Sequence, residues 1–258
     1  MTSGGRVTIA AIGVTAFAFC DLVHEVIGHG LAVLLVPGVQ AISLSSVALQ
    51  TTGESRLVAA AGSLANIFIG CAAMALFQRQ RRFSPTTYFI WLFGAVNLLN
   101  GCGYPLYSAI LGFGDWEVVV RGLEPALGWR IGLGLTGAAA YTSAVWMSAA
   151  ELAQAVESAW LSSIEIPGLV FLAYVVGSSL LVAASAFNPI GPSLILLSGV
   201  SSGFAAMAGL TAIPTLVENR VGRRETGGGA VSFNAGWVVA GVVVAIVFTT
   251  VVGRGIPL

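Results

Sequence analysis

The sequence predicts an all-α polytopic membrane protein of about seven transmembrane helices (six to eight), with a small strand-like hairpin after the first helix. Three observations carry that expectation. Of 258 residues, 57% are hydrophobic and only 9% charged, far from the balance of a soluble globular domain. The apolar residues fall in blocks long enough to cross a hydrocarbon core, which takes roughly 20 residues of helix, and the charges collect between the blocks. Residues 39–56 abandon the long apolar pattern for short alternating segments. Zero net charge excludes the basic footprint of a nucleic-acid binder.

Residues 7–36 form the first block, long for one span and therefore expected to be tilted or locally distorted, and Pro37-Gly38 ends it. The block outruns the apolar core of a signal peptide, so it is expected to be retained. Period-two alternation over 41–49, with Thr51-Thr52-Gly53 as a turn signal, predicts the hairpin. The second span, 57–77, carries the small-residue run Ala61-Gly62-Ser63-Leu64-Ala65-Asn66, which lets another helix approach closely. A third span, 86–112, is interrupted by Asn97, Asn100, Gly101, Gly103 and Pro105, and a break or a kink is expected around 101–105. Four further spans are expected at 131–149, 168–187, 193–213 and 230–252. An amphipathic interfacial helix is expected at 151–167 and a flexible loop at 218–229. The division that follows is a core at 1–116 and an accessory bundle at 117–258.

All eleven basic residues are arginine. With seven alternating spans, Arg6, Arg79, Arg81, Arg82, Arg220, Arg223 and Arg224 fall on the N-terminal side, against Arg56, Arg121, Arg130 and Arg254 on the other. That bias favours a cytoplasmic N-terminus. The expected location is an integral, multi-pass position in the cytoplasmic membrane of a prokaryote. Cys20, Cys71 and Cys102 are odd in number and lie inside apolar blocks, which argues against a disulfide framework.

The chemistry concentrates at His24-Glu25-Val26-Ile27-Gly28-His29, which contains the only two histidines in the chain. Ionisable groups at membrane depth are costly and usually mark a site. A helical zinc motif spaces its histidines four apart, with the glutamate between them as general base. Here the spacing is five, which on a regular helix separates the rings by about 140° instead of about 40°. A single-turn π-bulge repairs this, since it brings residues five apart onto one face, and Gly28 is the expected place for it. Zinc takes a third protein ligand and leaves a fourth position open. Asp115, the only carboxylate between Glu54 and Glu117, is the candidate, with Glu117 as the fallback. Asp21 precedes His24 by three residues and is a candidate to orient it. The same cluster would also serve as a proton relay or ion site in a transporter, or as a hydrogen-bonded packing element. For Asn66 and Asn97 the alternatives are interhelical hydrogen bonding and substrate contact.

His24-Glu25…His29 in a first span, a strand-like stretch, Ala61-Gly62-Ser63-Leu64-Ala65-Asn66, then Asn97-Leu98-Leu99-Asn100…Tyr104-Pro105-Leu106…Gly114-Asp115 resembles the three-helix core of the site-2 protease family, across residues 10–116. The resemblance implies intramembrane proteolysis of a transmembrane protein substrate, with Zn²⁺ as cofactor. His24, His29 and Asp115 would be its ligands, Glu25 the base that activates water, and Asn66 a contact to the substrate backbone. The chain departs from the family pattern in its histidine spacing, in Ser63 where proline is usual, and in Asp115-Trp116 where Asp-Gly is usual. The family also places the loop after its histidine helix on the cytoplasmic side, against the arginine bias. The alternative function is a non-proteolytic membrane metal-binding regulator, or an ion- or proton-coupled transporter built on the same cluster.

Overall fold

A computed structural model describes residues 2–188, 195–225 and 231–258. The chain is mostly helical. Thr2 accepts the Gly5 N–H to start α1 (Ser3–Leu22), which runs without a break into a π-helical segment, Val23–Gly30, and then α2 (Leu31–Leu35). Serine caps start the next two long helices: Ser55 opens α3 (Arg56–Gln78), and Ser84, with Pro85 at the first helical position, opens α4 (Pro85–Leu111). A short helix α5 (Asp115–Val120) and the long α6 (Ala126–Glu157) follow, then α7 (Ile166–Ala186). Beyond it lie a second π segment (Ile195–Ala205), α8 (Ile213–Val221), and α9 (Ala235–Val247), which ends in a third π segment, Phe248–Val252.

Among the described residues six helical stretches are long and apolar enough to cross a membrane: Ser3–Leu35, Arg56–Gln78, Pro85–Leu111, Ser163–Ala186, Ser198–Val221 and Ala235–Val252. The span expected at 131–149 is helical, inside α6, but falls outside this set. Residues 193–194 of one expected span, 230 of another, and 226–229 of the expected loop lie outside the described residues.

Three expectations need correction. No separate interfacial helix occupies 151–167: α6 continues to Glu157 and buries Glu151, whose carboxylate accepts a 2.7 Å bond from Gln78 Nε2, and a short 3₁₀ turn leads into α7. The helix expected to break or kink at 101–105 is not broken and runs on to Leu111. Tight packing offsets the bond lost at Pro105, since a Cβ on Gly101 would lie 2.6 Å from the Ser63 carbonyl oxygen and one on Gly103 would lie 2.9 Å from the Tyr141 ring. The hairpin exists, as β1 (Ala41–Leu44) and β2 (Leu49–Thr51), but it turns at residues 45–48 instead of 51–53. A third strand, β3 (Ile256–Pro257), pairs antiparallel with β1 and gives the order β2-β1-β3.

One buried cluster runs from Ile9 to Val252, so the two halves of the chain share a core. Its largest side chains satisfy their polar tips: Trp91 Nε1 donates to the Ser148 carbonyl at 3.0 Å and the Tyr88 hydroxyl to that of Leu169 at 2.8 Å. With these bonds made, large aromatics are buried without an unpaired donor, which would cost about 1–3 kcal/mol each.

Candidate metal centre

Gly28 is the hinge between sequence and site. It lies in the π segment, where its Cα faces Gly62 of α3 so closely that a Cβ would collide with the Gly62 backbone. Two glycines at the crossing let α3 reach the inner face of the π turn. A Cβ on Gly62 would in turn sit 2.6 Å from His24 Nε2 and 2.7 Å from His29 Nε2. Both imidazole nitrogens therefore point to one place. The five-residue spacing that a regular helix would splay is accommodated by the extra residue in the turn.

The third group arrives from the far end of α4. Gly112 closes that helix in the left-handed region (φ 63°) and Gly114 follows with φ 91°, a reversal few other residues adopt, so that α5 opens with Asp115 turned back toward the histidines. Asp115 Oδ2 lies 3.0 Å from His24 Nε2 and 3.3 Å from His29 Nε2. Trp116 locks this turn to α3 by donating from Nε1 to Ser63 Oγ at 3.0 Å. Ser63 and Trp116, 53 residues apart in sequence, thus meet each other.

The protonation of the histidines is assigned from a chain of amides. Asn97 Nδ2 donates to the Phe93 carbonyl, which leaves Asn97 Oδ1 to accept from Asn66 Nδ2; that nitrogen also reaches the Cys20 carbonyl. Asn66 Oδ1 must then be the atom facing His24 Nδ1, at 2.7 Å, so Nδ1 carries a proton, and in the neutral imidazole Nε2 is left with the lone pair. Asn100 Nδ2 donates to the same Asn66 oxygen at 3.3 Å. His29 Nδ1 donates to the Val58 carbonyl at 2.7 Å, with the same result. With both imidazoles neutral, two lone pairs and a carboxylate oxygen converge, and such a set could hold a cation. Protons could satisfy both contacts only by charging both rings. A metal ion serves all three, and two atoms about 2.0–2.1 Å from a tetrahedral zinc lie about 3.3 Å apart, close to the separations seen.

Glu25 joins the cluster: one carboxylate oxygen and one nitrogen from each histidine lie within 4.8 Å of one another. Its Oε2 accepts the Leu49 N–H at 2.6 Å, a bond from the first residue of β2. Glu25, His29, Asp115 and Tyr104 line a cavity of about 150 Å³ whose opposite wall is β2 and the start of α3.

The other candidates are placed as follows. Asn66 and Asn97 are fully buried in the amide chain and not in the cavity wall. Asp21 makes no bond to His24, whose ring nitrogens are taken by Asn66 and Asp115, and its Oδ2 is buried without a partner. Glu117, the fallback ligand, pairs with Arg121 at 3.5 Å instead. Neither a family model, nor a curated protein, nor a solved structure matches the chain. The site's own geometry is therefore what the functional argument rests on. Sequence reasoning missed the Val58 carbonyl and the Leu49 N–H, since backbone groups leave no mark in composition. It also missed Gly62 as a floor for the site, although the small-residue run around it was the available signal.

Proposed function

We propose that the protein is a membrane-embedded zinc metalloprotease of site-2 type that cuts a transmembrane protein substrate. The observation that carries this is the convergence of His24 Nε2, His29 Nε2 and Asp115 Oδ2, with the buried carboxylate of Glu25 beside them. Two imidazoles and a carboxylate form a donor set suited to catalytic zinc, with a fourth position left for water or substrate. When bound, zinc would polarise a peptide carbonyl and lower the pKa of water toward neutrality. Glu25 would take the proton from the attacking water, its orientation fixed by the Leu49 N–H. Asn66 and the Val58 carbonyl would keep each imidazole in the tautomer that offers Nε2 inward. An unwound peptide segment would approach these groups from the cavity between β2 and α3.

Glu25→Gln tests the assignment of the base. The variant should retain zinc and lose cleavage of a reconstituted transmembrane substrate, and cleavage at the wild-type rate would refute it. A transporter using Asp21, His24, Glu25 and Asp115 is the competing reading, with the unpartnered Asp21 Oδ2 on its side. Zinc- or proton-coupled uptake into proteoliposomes, abolished by Asp21→Asn, would favour it.

A further inference from the structure

The five tyrosines of the chain divide by what their hydroxyls do. Tyr88, Tyr141 and Tyr174 donate to backbone carbonyls, of Leu169, Ala206 and Phe204, and Tyr107 bonds to Ser201. Tyr104 alone has no hydrogen-bond partner for its hydroxyl among the described residues, and it is the one that lines the cavity with Glu25, His29 and Asp115. Its ring is not loose. It stacks on the His24 imidazole with centroids 5.1 Å apart and planes 22° from parallel, and its edge lies 3.1 Å from where a Cβ on Gly114 would be, directly before Asp115. On α4 it stands one helical turn beyond Asn100, whose amide bonds to the same Asn66 oxygen that holds His24.

A phenol clamped against one ligand and beside the turn that carries another, on the wall of the cavity and with no partner for its donor among the described residues, is preorganised for something that enters it. We infer that Tyr104 is a further catalytic residue, its hydroxyl donating a hydrogen bond to the oxygen of the peptide carbonyl under attack. The inference rests on the protease reading above. The hydroxyl keeps its proton throughout. Its contribution is a fixed dipole where negative charge develops, in a site where no solvent has to reorganise; losing one such donor typically costs about 10²–10³-fold in kcat.

The experiment compares Tyr104→Phe and Tyr104→Leu with the wild type as full-length, zinc-loaded protein in liposomes. It measures zinc content, cleavage kinetics, and affinity for a peptidyl phosphinate whose tetrahedral oxygens mimic the developing charge. The phenylalanine variant keeps the stack on His24, so zinc content should be unchanged. Its kcat should fall about 100-fold or more at similar KM, and its phosphinate affinity at least about 10-fold. The leucine variant should lose zinc affinity as well. Zinc retained with unchanged phosphinate affinity in Tyr104→Phe would overturn the inference alone, because a purely structural stack predicts that result. A phosphinate that fails to bind the zinc-loaded wild type would overturn the protease reading, and this inference with it.

Discussion

Two π-helical segments of this chain, Val23–Gly30 and Phe248–Val252, share a backbone geometry and differ in where their polar groups bond. In the second, Thr249 and Thr250 turn their hydroxyls back onto carbonyls of their own helix, Ala245 at 2.6 Å and Ile246 at 2.7 Å. In the first, every polar side chain reaches another element: His24 to Asn66 and Asp115, His29 to Val58 and Asp115, Glu25 to Leu49. A π turn is therefore not a site in itself. It becomes one when neighbouring helices supply partners that fix the direction of each donor atom.

That contrast can be broken from its strongest point downward. Gly62→Ala places a methyl against both Nε2 atoms, and zinc affinity should fall by more than about 100-fold, as read by competition with a chromophoric chelator. Asn66→Ala leaves both ligands in place but frees the His24 tautomer, and the same titration should show a loss of about 10–100-fold. Equal affinities for this variant and the wild type would mean that the amide chain does not set the ligand. Smaller again is the strap on Asp115. Ser63→Ala, Trp116→Phe and the double variant, unfolded by denaturant in detergent, should reveal a coupling of about 1 kcal/mol, and strict additivity would show that the Trp116–Ser63 bond contributes nothing. Least of all, Thr249→Val in the other π segment should change neither zinc affinity nor, by more than about 0.5 kcal/mol, stability, because a hydroxyl bonded to its own helix is easily dispensed with.

How far the sequence reaches follows the same line. The helices of the first half are legible because apolar blocks and Pro37-Gly38 punctuate them, and the π turn at Gly28 follows from the five-position spacing of the two histidines. Asp115 is legible as the only acid within a long stretch. What stays hidden is long-range. β3 is too short and too distant from β1 to announce itself, and the close packing of α3 and Tyr141 against Gly101 and Gly103, which keeps α4 continuous through Pro105, has no local signal. The Ser63–Trp116 bond joins two positions that look unrelated until the chain is folded.

The central claim is that His24, His29 and Asp115 form a metal site, and elemental analysis of the purified full-length protein tests it most directly. The geometry predicts about one zinc per chain in the wild type and next to none in His24→Ala or Asp115→Ala that remain folded. Zinc absent from the wild type after loading, or present in equal amount in those variants, would contradict it.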